Sequence, residues 1–463
     1  MRTKIIKPSA VAVLLVLLAC WNTDGKAAEA YQWKAATTST VITPDGPLWM
    51  AGYSSRDRPS GEASQDLYAK VLAVEDAAGS RLVIVTTDLV GITESMRQAV
   101  EQQVLDRFEL PPAALLMNAS HTHSGPEVRI DRLRLEEREG AWIERAEQYV
   151  RETTDRIVAA IGQALAKLEP AMLSYTSARC GFAMNRRLVT ASGVHGRPNP
   201  DGPVDHTVPV LRVDSVDGKK LRAVMFGYAC HNTVLGLYDL NGDYAGWAQH
   251  YLEEAHPNMT ALFVIGCGGD QNPYPRRTHE LAQQHGRTLS NSVEAALDAQ
   301  SKPLVGPLRT ALERTSLSFA KGPSRAELHT LAESKSIALQ RHARRLLRQL
   351  DEGDGFIKEY AYPVQVARFG DGLTLVGLAG ETVVDYSLRL KRELAGPNVW
   401  VAGYCNTLPT YIPSLRVLRE GGYEGGDHRR YTNFAAPFDE SIERRITGKV
   451  HQLNERLGGK RAD

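Results

Sequence analysis

Six short apolar runs, each of strand length and each ending in polar residues, constrain this chain more than any other feature. RLVIVTT runs into Asp88, AALLMNAS into His121 and His123, and RAVMFGYAC into His231. ALFVIG leads to CGGDQN, LTLVGLAG to Glu381, and VWVAGYC to Asn406 and the TYIPS loop. One such run means little, because every strand must end in something polar. Six in one chain predict a sheet system in which one edge carries a cluster of His, Asp, Glu and Asn side chains. Ligands of α/β folds bind just beyond the carboxyl ends of strands, so this edge is the expected site. Helical periodicity is clearest at 93–107, 140–167 and 324–350, which makes the class α/β, with mixed β-sheets flanked by helices. The third of these opens on a capping box, Ser324 to Glu327, and its many charges predict a largely exposed helix.

No repeat or Pro/Ser/Gly linker divides the 463 residues, so one domain from about residue 31 onward is expected. With 55 basic and 54 acidic residues there is no global field to draw in a polyanion, which argues against nucleic acid as a partner. The first residues carry Arg2, Lys4 and Lys7, then an apolar core from Ala10 to Ala19, then Ala28-Glu29-Ala30. That order fits a signal peptide over residues 1–30 and predicts export, periplasmic or secreted; the apolar stretch is short for a membrane span. LLAC at 17–20 also resembles a lipoprotein box with Cys20 as the lipidated residue, but Leu18 fits it poorly, which favours simple secretion. Cys180, Cys230, Cys267 and Cys405 remain, either as disulfides or as buried thiols beside apolar strands.

In His121-Thr122-His123 of an extended segment, both imidazoles can face one pocket, while Ser124-Gly125-Pro126 turns sharply after them. An isolated His-x-His is as often solvated as functional. His231 alone reads as a core histidine satisfied by backbone, and Glu381 as a first-turn glutamate of the helical segment TVVDYSLRLKREL. NGDYAGWAQ at 241–249 leads into another helix with Asn241 and Asp243 at its start. Two histidines and a carboxylate with one open position form a common catalytic zinc set, in which bound water acquires a pKa of about 7. The spacings are too long for sequence alone to bring these parts together.

Taken in order, HTHSGP at 121–126, AMNRR at 183–187, ACHNT at 229–233, NGDYAGWAQ, GGD at 268–270, AGE at 379–381, TYIPS at 410–414 and YEGG at 423–426 resemble the neutral/alkaline non-lysosomal ceramidases. These are zinc amidases that cleave the N-acyl bond of ceramide. The resemblance implies a ceramidase-like catalytic domain over 31–463, one Zn2+ per chain, and His121, His231, Glu381 and Tyr411 as its ligands. It also implies that His123 faces substrate, that Arg186 and Tyr423 bind the head group or the oxyanion, and that Asp243 stands behind the metal ligands.

The departures are specific. Where the family has a serine in a GDVSPN-like segment, GDQNPYP has Asn272, and an amide cannot accept an acyl group. Attack by zinc-bound water is the consistent expectation, with Asn272 at most orienting substrate. Glu127-Val128-Arg129 replaces a Gly-Gly after HTHSGP, and the chain ends at Asp463 without room for the family's C-terminal immunoglobulin-like domain. The expected function is therefore zinc-dependent hydrolysis of ceramide or another N-acyl lipid, with room for peripheral membrane contact. The rivals are a zinc hydrolase of a non-lipid amide or ester, and a non-catalytic binding homologue.

Overall fold

The computed structural model describes residues 33–353 and 355–462; the signal-like segment and Cys20 lie outside them. The larger sheet runs, from edge to edge, through Thr260–Ile265, Leu221–Tyr228, Thr207–Ser215, Glu169–Arg179, Trp33–Val41, Tyr68–Asp76, Arg81–Thr87 and Leu115–Ala119, with Lys302–Pro303 joined to Glu169–Arg179. A second sheet orders Leu308–Ser318, Glu359–Phe369, Leu373–Leu378 and Val399–Ala402.

The six apolar runs are strands, and they pair two by two in parallel. Arg81–Thr87 pairs Leu115–Ala119, Leu221–Tyr228 pairs Thr260–Ile265, and Leu373–Leu378 pairs Val399–Ala402. Parallel pairing sends both carboxyl ends of each pair to one side. Such strands are apolar throughout because both faces are covered. Leu72, Ile84, Leu116, Met225 and Leu262 of the larger sheet pack on Phe369, Leu375 and Trp400 on the second sheet's side. Each of these side chains contributes roughly 1.5–3 kcal/mol by burial.

The outer faces are covered by helices. Glu94–Phe108 and Gly140–Ala166 pack over one part of the larger sheet, Asp243–Ala255 and His279–Asp298 over another. Val384–Glu393 and Ile442–Arg456 cover the second sheet, giving layers of helix, sheet, sheet, helix. Isolated bridges Asn118 to Cys405 and Gly266 to Ala402 tie the ends of the two sheets together. The site thus gathers strand ends from two packed sheets rather than from one edge.

Two local expectations are corrected. The segment 324–350 is two helices, Arg325–Ala332 and Ile337–Asp351, because Glu333 to Ser336 break the first before the second begins; the Ser324–Glu327 capping box is present. Glu381 belongs to a two-residue strand, and the following helix starts at Val384, so Asp385 and not Glu381 occupies its first turn. Cys180, Cys230, Cys267 and Cys405 are buried and free. Among the described residues no helix is long and apolar enough to cross a membrane.

Candidate metal centre and active site

The strand Leu115–Ala119 stops two residues before His121, whose φ of 63° is left-handed, a costly conformation for a side chain with a Cβ. The chain is therefore not extended through His121-Thr122-His123, yet the rings still meet, with Nε2 to Nε2 at 3.1 Å. The turn is held by His121 N on the Leu89 carbonyl, His123 N on the Asn232 carbonyl, and the Thr122 hydroxyl on the Asn241 carbonyl. Gly52, at φ +94°, lies against His123 so closely that a Cβ there would overlap the imidazole.

His121 Nδ1 donates to the Val90 carbonyl at 2.5 Å, and His231 Nδ1 to the Gly268 carbonyl at 2.6 Å. A carbonyl only accepts, so the proton sits on Nδ1 and each Nε2 presents a lone pair inward. Glu381 and Tyr411 are direct partners in a parallel two-residue ladder, which sets carboxylate and phenol side by side. Glu381 Oε2 lies 3.3 Å from His121 Nε2 and 3.2 Å from His231 Nε2, and the Tyr411 hydroxyl lies 3.4 Å from His231 Nε2. Metal bonds of 2.0–2.2 Å in a tetrahedron require donor separations of roughly 3.3–3.6 Å. These three separations fit donors that share one metal ion. The donor nitrogens of His121, His123 and His231 also lie within 4.8 Å of one another, so this buried histidine cluster can hold a metal ion.

Electrostatics agree with that geometry. Burial works against ionising Glu381, but His121 and His231 overcome it and hold the carboxyl well below its usual range. Burial, with Arg186 next, lowers His231 to about 4; burial, with His121 and His231, drives His123 well down. Burial pushes the Tyr411 phenol far up, opposed chiefly by the Arg186 guanidinium.

Arg186 reaches three groups: Nη2 donates to Tyr411 at 2.9 Å, Nη1 to Asn272 Oδ1 at 3.2 Å, and Nε to Glu424 at 2.8 Å. Neighbouring side chains of a regular strand point to opposite faces, but Ala183–Thr190 carries a register shift between Asn185 and Arg187. The irregularity lets Arg186 and Arg187 both bind Glu424, the second at 2.8 Å. Asn272 also accepts from the Thr233 hydroxyl at 3.4 Å, so its amide is a spacer beside Arg186. Tyr423, 41% exposed, meets Tyr411 edge-on at 5.2 Å.

Asp243 does not touch the histidines. Its carboxylate accepts from the amides of Val234, Leu235 and Tyr244, fixing the loop that follows His231, and burial raises it to about 6. Ser124 Oγ is buried without a hydrogen-bond partner. Sequence reasoning passed over Glu424, although it lies in the YEGG motif. It also passed over Tyr404, whose ring lies 4.6 Å from His121, and Tyr53, edge-on to His123 at 4.8 Å. Tyr404 is the penultimate residue of the VWVAGYC run, the one available signal; nothing local marks Tyr53.

A cleft of about 1180 Å³ opens on these groups, with Trp49, Leu133, Tyr360, Tyr431 and Phe434 among its walls. The sequence pattern of the neutral/alkaline non-lysosomal ceramidase N-terminal region matches residues 40–275. The chain belongs to this family. It is a ceramidase-like hydrolase. No curated protein sequence matches it. Among solved structures, neutral ceramidase from Pseudomonas aeruginosa is similar at a TM-score of 0.70 and 18% identity, over 93% of this chain and 75% of that one. A ceramidase complexed with C2 is similar at 0.70 and 18%, over 94% and 76%. At that identity the ceramidase structures establish the shared α/β fold alone.

Proposed function

We propose that this ceramidase-family chain is a zinc-dependent amidase that hydrolyses the N-acyl bond of ceramide or a related N-acyl lipid without a serine nucleophile. The observation that carries the reading is the approach of Glu381 to both His121 and His231, and of Tyr411 to His231, in the cleft. With four protein donors, water would have a place only in an expanded coordination shell, where zinc would lower its pKa to about 7 and polarise an amide carbonyl. Arg186 favours the phenolate of Tyr411 by charge and hydrogen bond. His123, kept neutral by burial and by its two neighbouring imidazoles, takes a proton at Nε2 from the attacking water and returns it to the departing amine nitrogen. Tyr423, at the mouth, donates to the oxyanion. The C–N bond breaks, the acyl carbon gains oxygen from water, and fatty acid and amine leave. Asn272 has the place of the family serine and orients Arg186. The apolar walls accept the acyl chain, and the signal-like order of residues 1–30 supports export of the enzyme.

The test is metal analysis of the purified protein together with hydrolysis of a fluorescent ceramide before and after chelation. Stoichiometric zinc and chelator-sensitive release are expected. Protein without metal, or full activity after its removal, contradicts the mechanism; metal-dependent cleavage of other amides but not ceramide contradicts only the named lipid.

A further inference from the structure

Charges lining the cleft are mostly paired with each other. Glu94, Glu127, Glu136 and Glu424 each hold a cleft arginine at 2.5–3.1 Å. Arg56, Arg276 and Arg277 line the same cleft and, among the described residues, have no carboxylate within ion-pair distance. Arg56 donates only to the carbonyls of Ala51 and Leu237, and its Nε is buried without a partner. Arg277 Nη1 meets the Tyr53 hydroxyl at 3.1 Å, and Arg276 lies over the Tyr274 ring at 5.4 Å.

Tyr53 joins this group to the reacting centre. Its ring has Arg56 at 5.0 Å and Arg277 at 5.2 Å from its centroid, and its edge meets His123. Arg56 and Arg277 therefore lie about one aromatic ring from the proposed proton carrier, and Arg276 is the chain neighbour of Arg277. Arg277 is held at φ 104°, left-handed and strained, by its amide on the Val234 carbonyl at 2.7 Å. Burial lowers Arg56 to about 10 and also lowers Arg276, with Arg277 the next cause there. Arg56 is buried, Arg276 half-buried and Arg277 exposed. Positive charge buried without a counter-ion is costly, and an anion seated beside Arg56 and Arg276 would relieve it, with Arg277 reaching it from the solvent side.

We propose that this flank binds a carboxylate on the amine side of the substrate, so that the preferred substrate is an N-acyl amino acid rather than a neutral amide. The proposal rests on the amidase reading above and narrows its substrate class. Trp49, Leu133 and Phe434, elsewhere in the cleft, are left for the acyl chain. The reaction consumes one water: the amide C–N bond breaks, a fatty acid forms, and the amino acid nitrogen takes the proton.

The experiment compares N-lauroylglycine with N-lauroylglycinamide, which differ only in the charged group, and with N-lauroylsphingosine, a ceramide, using the metal-loaded full chain. Wild type is expected to favour the acid by roughly tenfold or more in kcat/KM, an advantage that shrinks with added salt. The double variant Arg276→Gln/Arg277→Gln is expected to bring the acid-to-carboxamide ratio near one, mainly through KM, with metal content and Tm measured alongside. Equal rates on the two glycine amides, faster turnover of the ceramide, or a ratio unaltered in the double variant would overturn the proposal. If no amide is cleaved by metal-loaded protein, the amidase reading fails instead. The anion site is then read by fluorescence titration of chelated protein with the same glycine amides, where preference for the acid, lost in the double variant, supports it and absence of preference refutes it.

Discussion

Among the described residues the Glu381 carboxylate has no ion-pair or hydrogen-bond partners other than two imidazole nitrogens, so its removal acts directly on whatever those three groups hold. Glu381→Ala is expected to lose most of the bound metal on dialysis and to lower kcat/KM by about a hundredfold or more. Metal analysis beside an amide assay reads both, and a variant with wild-type metal content would show that the ligand set is wrong. Asn272 poses the opposite case. Because its contacts run to Arg186 and Thr233, Asn272→Ala is expected to cost only about tenfold in kcat/KM. A loss of a thousandfold would mean that the amide touches the reacting atoms. Of these residues, His121, His231 and Glu381 were visible as polar ends of apolar runs. Tyr411 entered only through family resemblance, since a tyrosine in a loop has no distinguishing pattern.

The elements explain why adjacent residues do different work. Glu381 and Tyr411 stand together because two short strands pair in parallel register, and Arg186 and Arg187 share Glu424 because the strand between Ala183 and Thr190 is irregular. Among the described residues Glu424 is the only carboxylate that binds both of these arginines, whereas Glu420 binds Arg187 alone of the two, at 3.1 Å; the side chains of Glu424 and Arg187 are almost wholly buried. Glu424→Ala is expected to lower unfolding free energy by about 3 kcal/mol, because two guanidiniums lose a buried partner. Urea denaturation measures this, and a midpoint equal to wild type would show that Glu420 suffices for Arg187. Neither the bulge nor the pairing of residues 381 and 411 was legible beforehand. A bulge leaves no mark in a period-two pattern, and a two-residue strand is shorter than any period. For the same reason the break at Glu333–Ser336 was invisible beneath a continuous helical pattern.

Across the whole molecule, stability responds to pH through groups far from the metal centre. His342 is buried, with Arg345 Nη2 2.7 Å from its Nδ1, and burial, followed by Arg345, Arg429 and Arg430, lowers it to about 3. Unfolded, it titrates near its ordinary value of about 6.5. The folded pKa is the lower one, so its contribution is complete above pH ~6.5 and is lost as pH falls toward the folded value. His342→Leu removes the effect. The Tm of wild type is expected to fall relative to the variant between pH 7.5 and 5, and parallel pH curves would refute the assignment. Asp88 and Asp270 act in the reverse sense, since burial raises both to about 6 and their contribution is lost as pH rises from about 4 to 6. Comparing one variant with wild type isolates His342 from them.

What the sequence by itself determined was local. Apolar runs that end in polar residues specify buried strands, a capping box starts a helix, and a missing serine rules out acyl transfer to that position. These follow from neighbours along the chain. The tertiary structure alone decided that the runs pair in parallel within two packed sheets, so that groups 110 residues and more apart, His121 with His231 and both with Glu381, meet at one point. It alone left Arg56, Arg276 and Arg277 in the cleft without a carboxylate at ion-pair distance among the described residues. Pairing of charges depends on distances in space, and the near balance of 55 basic and 54 acidic residues concealed it completely.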